Sequence, residues 1–332
     1  MNNRVLKWGL LSTAAINRAV ITPLRMSPRN QLVAVASRDQ ARAEAYATDW
    51  GIPRAMGSYE ALLDDPEIDV VYVSLPNSMH AEWTIKAVAA GKHVLCEKPL
   101  AISVEEVDAI ESAARKAGVV VAEAFMYRHH PQTRKVQQMI SGGQIGELRV
   151  VRGGFTFNIA NSADVRLNAE LGGGSIWDVG CYPISYGRAV IGSDPVEVFA
   201  WQVTGDSGVD EVFVGQMRFR SGAYAQFDSG FRAPERMLME FVGSAGTITL
   251  TNAFKPGIEA EIAFCPEGGT PEPILIPGQE LYLGEIEDMA DAVLLSKAPR
   301  ISLSDSRGNV ATIVALLRSA REGKPVALVA SR

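Results

Sequence analysis

Cysteine is scarce in this 332-residue chain. Cys96, Cys181 and Cys265 lie far apart, with no CxxC and no Cys/His spacing. That argues against a zinc site and against a disulfide framework. Histidine is scarce too, with only four. His129 and His130 are adjacent, so their side chains diverge on most backbones and make a poor metal pair. No metal is expected. A basic excess is also missing: 32 Lys and Arg face 38 Asp and Glu, for a formal net charge of -6. Nothing here offers a positive face for nucleic acid or a polybasic membrane anchor. No apolar run reaches the roughly 20 residues that span a bilayer. The opening residues 1–8 (MNNRVLKW) carry no signal-peptide apolar region. These absences point to a cytoplasmic protein with neither nucleic-acid nor membrane partners.

What remains is an ordinary globular composition, 47% hydrophobic and 21% charged, with the charges interspersed. The length suggests two domains. Up to about residue 125, short apolar runs alternate with helical patterns, the mark of a parallel sheet with crossover helices. Strands are expected at 7–11, 32–36, 70–75, 93–96 and 119–124. Helices are expected at 14–26, 39–50, 81–90 and 103–116. Pro23 threatens a kink in the first helix, and Ser103-x-x-Glu106 starts the last with a capping box. Past Phe125 the pattern changes. After a helix at 131–140, alternating strands are expected at 148–157, 196–203, 211–219, 223–231, 237–242 and 247–250. They argue for a mostly antiparallel sheet. Helices near 177–191, 284–295 and 305–320 complete the reading. The expected fold is a doubly wound α/β domain of Rossmann type over 1–125, then an α+β domain with a large open sheet over 126–332. The cleft between two such domains is the expected site.

Five segments carry candidate chemistry. The first strand-to-helix turn reads Ser12-Thr13-Ala14-Ala15-Ile16-Asn17, with no glycine of the GxGxxG pattern. It fits an ordinary βα turn. It also offers main-chain N–H groups to a pyrophosphate, with the Ser12 and Thr13 hydroxyls as further donors. Ser12, Thr13, Ala14 and Ile16 are therefore candidate cofactor contacts. The second strand ends in Ser37-Arg38-Asp39, where an NAD enzyme places an acid on the ribose 2'-hydroxyl. A guanidinium beside a hydroxyl suits a 2'-phosphate instead, and Arg42 adds charge one turn on. This predicts NADP(H) in preference to NAD(H). Arg38 also fits a solvated surface position, and Asp39 a helix N-cap.

Leu75-Pro76-Asn77-Ser78-Met79-His80 follows a buried strand, at the end where such loops meet a cofactor. Leu75, Pro76, Asn77 and His80 are candidates there, although a purely structural His80 fits equally well. Cys96-Glu97-Lys98-Pro99-Leu100 places two charges at a strand end before a proline, which restricts the backbone of Lys98. Its ammonium can hydrogen-bond a substrate oxygen and stabilise a developing alkoxide. Glu97 and Lys98 are candidates at the cofactor, and a surface Glu–Lys pair fits the motif taken alone. The fifth segment runs from Leu171-Gly172-Gly173-Gly174-Ser175 to Ile176-Trp177-Asp178-Val179-Gly180-Cys181-Tyr182-Pro183. Its glycines permit close backbone approach. Asp178 and Tyr182 are four apart and share a face on a helix. A tyrosine beside an ammonium can exchange a proton with a carbinol oxygen, and Asp178 can orient the substrate. The other reading makes Asp178 a first-turn acid and Tyr182 a core aromatic. Phe155, Phe157, Asn158, Arg166 and Trp177 are candidate substrate contacts. Arg166 either points into the cleft or pairs with Glu170.

Taken in order, these segments resemble the glucose-fructose oxidoreductase/inositol dehydrogenase family over nearly the whole length. The nearest resemblance is to the branch of D-xylose dehydrogenases and dimeric dihydrodiol dehydrogenases. The resemblance implies that Lys98 is the catalytic lysine. It implies that Tyr182 stands where many members have histidine, and that Asp178 is the preceding aspartate. It implies a second-domain sheet used to form a homodimer or homotetramer. The glycine-poor first turn departs from the family pattern, although this branch accepts small residues there. The expected activity is an NADP-dependent hydride transfer at a carbinol carbon of a sugar or cyclic diol. Tyr182 takes the hydroxyl proton, assisted by Lys98. The rivals are a keto-sugar or nucleotide-linked keto-sugar reductase, a hydrolase or lyase with a cofactor that never leaves, and a non-catalytic NADP(H) sensor.

Overall fold

The structure is a computed structural model describing residues 4–328. The ends of the expected domain bounds, 1–3 and 329–332, lie outside the described residues. The chain divides into two compact units, Met1–Met126 with Tyr282–Arg307, and Tyr127–Leu281 with Gly308–Arg332. Residues 282–307 thus join the first unit, whereas the sequence reading runs the second domain unbroken from 126.

The first unit holds strands β1 Leu6–Leu11, β2 Asn30–Ala36, β3 Arg54–Met56, β4 Val70–Val73, β5 His93–Glu97 and β6 Val121–Ala124. Its helices are α1 Asn17–Met26, α2 Gln40–Trp50, α3 Tyr59–Leu63, α4 His80–Ala89 and α5 Val104–Ala117. The strands form one six-stranded sheet in the order β3-β2-β1-β4-β5-β6, every pairing parallel. This is the order of dinucleotide-binding sheets, whose ligands lie beyond the carboxyl ends of the strands. Strand β4 and residues 32–36 of β2 bury both faces, which is why those stretches are apolar throughout. Leu10, Val35, Val70, Tyr72 and Leu95 pack with Val20, Ile21 and Leu24 of α1. Trp8 joins them and places its indole N–H 2.7 Å from Asn30 Oδ1, so the ring is buried without an orphaned donor.

A helix absent from the expected first domain completes this core. It is α8, Leu283–Leu295, which contributes Ile286, Met289 and Ala290. Burying a side chain the size of Ile or Met stabilises by about 1.5–3 kcal/mol. Arg29 ties α8 down further, donating to Glu287 and, at 2.6 Å, to Asp291. The α5 cap differs slightly from the expected box. Ser103 Oγ accepts from Glu106 N at 3.2 Å, but the Glu106 carboxylate accepts from Ile102 N rather than from Ser103.

The second unit carries helices α6 Pro131–Ser141 and α7 Cys181–Ile191. Its strands are β7 Leu148–Asn158, β8 Glu197–Thr204, β9 Asp210–Arg218, β10 Tyr224–Gly230, β11 Arg232–Gly243, β12 Gly246–Leu250, β13 Glu259–Pro266, β14 Glu272–Pro277 and β15 Val326–Ala327. They form one nine-stranded sheet, antiparallel except where β7 meets β10. Helix α7 lies on one face, with Gly187 against Ala225 and Val151. The opposite face carries Trp201, Val203, Val214 and Tyr224, all solvent-exposed. Helix α9, Leu303–Glu322, begins in the first unit and continues in the second.

Candidate active site

The first turn gives up part of its expected donors to the fold. Ser12 adopts a φ of 154°, a region glycine enters readily. Local bonds hold it there: Ser12 Oγ lies 2.8 Å from Ser74 Oγ and accepts from Ala14 N at 3.1 Å. Asn17 Nδ2 donates to Ser12 O at 2.7 Å. The Ser12 hydroxyl and the Ala14 N–H, both expected to face a cofactor, are therefore engaged internally. The N–H groups of Ala15 and Ile16 donate to no other group among the described residues, so the turn still presents main-chain donors at the start of α1.

The carboxyl end of β2 assembles a cationic corner. Ser37 is buried, and Arg38 and Arg42 are exposed. Arg42 Nε donates to Thr13 Oγ1 at 2.8 Å, and the charges of Arg38 and Arg42 both act on the Tyr59 phenol. Burial raises the pKa of the Tyr59 phenol, and the two guanidiniums oppose that shift. The N-cap reading of Asp39 holds, since its carboxylate accepts from Arg42 N at 2.7 Å. Tyr59 is absent from the sequence reading because its helix has only five residues.

At the end of β4, the His80 ring is buried, and both of its nitrogens face main-chain carbonyls. Nδ1 lies 2.7 Å from Pro99 O, and Nε2 lies 2.7 Å from Leu75 O. Both nitrogens are engaged with the fold, as the structural reading of His80 allowed. At the end of β5, Glu97 is buried as well. Its carboxylate accepts from the Tyr72 hydroxyl and from Lys98 N. Burial, then the charges of Glu97 and Glu285, push the Tyr72 phenol well above its usual range. Glu123 accepts from Leu100 N at 2.9 Å. The backbone on both sides of half-buried Lys98 is thus fixed by buried side chains.

In the second unit, the run 176–180 is a π-turn, and α7 begins only at Cys181. Asp178 and Tyr182 therefore do not sit on one regular helix as their spacing suggests. Such insertions recur at functional sites. Gly173 and Gly174 do permit close approach, but what approaches is the chain itself. A Cβ on Gly173 would meet Arg166 O at 2.4 Å, and one on Gly174 would meet Asp210 Oδ1 at 2.3 Å. Arg166 pairs with Asp178 at 2.8 Å and with Asp164 at 3.3 Å, rather than with Glu170. The charge of Asp178 is the largest cause of the raised pKa of Arg166. Tyr182 is buried in an aromatic wall, with ring centroids 5.3 Å from Phe155, 5.4 Å from Phe254 and 5.6 Å from Tyr127. Phe155 stacks on Phe254, Trp177 is buried, and Asn158 is exposed at the end of β7. Among the described residues no group of three or more His, Cys, Asp or Glu is arranged to hold a metal ion.

Asp210, which the sequence reading passes over, anchors the π-turn. Its Oδ2 accepts from Ser175 Oγ at 2.6 Å and from Ile176 N at 2.8 Å. Burial raises its pKa from 3.8 to about 6. A raised carboxyl pKa means that the fold favours the protonated form, so this group's contribution is greatest below pH 4 and falls as pH rises to 6. The loss is about 3 kcal/mol at 1.36 kcal/mol per pKa unit. Denaturant unfolding at pH 4 and pH 6 is expected to show this fall in the wild type and its loss in Asp210→Asn. Equal slopes for both proteins would rule it out.

A family model described as "Oxidoreductase family, NAD-binding Rossmann fold" matches residues 6–125. One described as "GFO/IDH/MocA C-terminal domain" matches residues 133–249. D-xylose 1-dehydrogenase (NADP(+)) 2 of Haloferax volcanii is 38% identical, over 97% of this chain and 99% of its own. The trans-1,2-dihydrobenzene-1,2-diol dehydrogenase of Danio rerio is 34% identical, over 91% of this chain and 92% of its own. The crystal structure of a 3-ketoreductase from Actinomadura kijaniata, in complex with NADP and TDP-benzene, superposes with a TM-score of 0.90 at 31% identity. That match covers 95% of this chain and 98% of the other.

Proposed function

The chain belongs to the GFO/IDH/MocA oxidoreductase family, and from that membership we propose that it is an NADP-dependent dehydrogenase of a sugar or cyclic diol. The observation that carries the reading is the corner of Arg38, Arg42 and Thr13 at the carboxyl end of β2. Two guanidiniums suit the extra phosphate of NADP, and no acid other than the capping Asp39 stands there for a ribose hydroxyl. The N–H groups of Ala15 and Ile16 fit a pyrophosphate.

NADP supplies the hydride acceptor or donor. The residues do the rest. Lys98 hydrogen-bonds the carbinol oxygen and stabilises its negative charge as the proton leaves. Tyr182 takes that proton in oxidation and returns it in reduction. Asp178, held by Arg166, orients the neighbouring hydroxyls. Phe155 and Trp177 form apolar wall, and exposed Asn158 offers a further polar contact. Leu75, Pro76 and Asn77 border the cofactor.

A nicotinamide-absorbance assay against aldoses, cyclitols and diols, run with NADP+ and with NAD+, tests this. We expect turnover of at least one aldose or diol, with NADP+ preferred. No turnover across the panel by a protein that still binds NADPH would defeat the dehydrogenase reading. Weight would then pass to reduction of a keto-sugar, which the likeness to the 3-ketoreductase favours.

We also read the protein as a homo-oligomer formed through the second sheet. Phe199, Trp201 and Val203 of β8 line the exposed face with Val214 of β9, which pairs with Trp201, and with Tyr224 of β10. Exposed apolar faces of this kind mark interfaces. Sedimentation of the purified chain tests the idea, and a single monomeric species at micromolar concentration would end it. No helix among the described residues is long and apolar enough to cross a membrane. A cytoplasmic setting is part of the proposal, and cell fractionation can check it.

A further inference from the structure

His80, a candidate at the cofactor, also joins two of the segments that matter. It opens α4, is almost wholly buried, and reaches Pro99 O with Nδ1 and Leu75 O with Nε2, each at 2.7 Å. Both partners are acceptors. A neutral imidazole has one N–H, so it can satisfy only one of them; filling both requires the doubly protonated ring. Burial and the charge of Lys98 act against the second proton, while the two carbonyls act for it. The two contacts are therefore not equivalent, and chemistry can separate them.

We propose that His80 is a positioning residue for Lys98, acting through the bond from Nδ1–H to the carbonyl of Pro99. The geometry is direct. Pro99 is bonded to Lys98, and its carbonyl is the point where the segment after Lys98 is pinned to α4. Glu97 holds the Lys98 N–H at 3.2 Å and Glu123 holds the Leu100 N–H at 2.9 Å. Between those two, His80 supplies a hydrogen bond that reaches the Pro99 carbonyl of the segment. A displacement of about 1 Å in a catalytic group costs on the order of 10²-fold in rate. This inference rests on the reading of Lys98 as the residue that stabilises the reacting oxygen.

Two amides test it, because the amide nitrogen of Asn reaches the place of Nδ1 and that of Gln the place of Nε2. His80→Gln is expected to lower kcat about 10²-fold. His80→Asn is expected to recover at least about a tenth of the wild-type value. The Kd for NADPH should stay within about threefold in both. Equal losses in Asn and Gln, no loss in either, or losses that follow the NADPH affinity would overturn the proposal. Should Gln fail to fold, ¹⁵N NMR of the wild-type ring decides: an Nδ1 without a proton at neutral pH refutes it. Lys98→Ala run alongside separates the two failures. An active Lys98→Ala defeats the premise. An inactive one beside an active His80→Gln defeats the inference alone.

Discussion

Replacing Lys98 by Ala is expected to lower kcat about a thousandfold and to leave NADPH affinity within about threefold. The first figure follows from the role. Removing one donor aimed at a developing oxyanion costs about 3–4 kcal/mol of transition-state stabilisation. The second follows from the scaffold. Three bonds that fix this segment run to the Lys98 N–H, the Pro99 carbonyl and the Leu100 N–H, and none of the three needs the lysine side chain. Alanine therefore removes the ammonium without releasing the backbone. Single-turnover absorbance and NADPH fluorescence titration separate the outcomes. A fall in NADPH affinity as large as the fall in kcat would make Lys98 a cofactor residue. An unchanged kcat would remove it from the chemistry altogether.

That scaffold is also where sequence reading reaches its limit. The parallel sheet is legible because 32–36 and 70–73 are apolar throughout and each leads toward an amphipathic helix. Strand β3 and helix α3 are not legible, since three and five residues are too short to display a period. Strands β13 and β14 hide behind Pro266, Pro273 and Pro277, residues that argue against a strand until its place near a sheet edge is known. Helix α8 reads correctly as a helix, but nothing local says that its apolar side belongs to the first sheet. The site divides in the same way. Residue types and order suggest Lys98, Asp178 and Tyr182. Contacts across long sequence separations then decide what the neighbours do. His80 reaches Pro99, Ser12 reaches Ser74, and Ser175 reaches Asp210. The π-turn leaves no mark in composition, so the four-residue spacing of Asp178 and Tyr182 reads as ordinary helix.

The cationic corner yields the second large effect. Arg38→Ala combined with Arg42→Ala is expected to lower kcat/KM for NADP+ about a thousandfold and to change that for NAD+ by less than about threefold. Hydrogen bonds to a charged group contribute about 1.5–3 kcal/mol each, so losing one good contact from each guanidinium amounts to about 4 kcal/mol. Only NADP+ carries the 2'-phosphate that would receive those contacts, which makes the loss selective. The two arginines are not interchangeable. Arg42 is held by Thr13 and its own N–H caps onto Asp39, whereas Arg38 has the Tyr59 phenol as a polar neighbour. Arg38→Ala alone should give about a hundredfold selective loss. Tyr59→Phe should give a smaller loss in the same direction, because the guanidinium survives and only a polar neighbour is removed. Steady-state kinetics with both cofactors reads all of this. A loss shared equally between NADP+ and NAD+ would mean that the corner shapes the turn around Thr13 rather than reading the phosphate. The preference for NADP+ would then need another source in the chain.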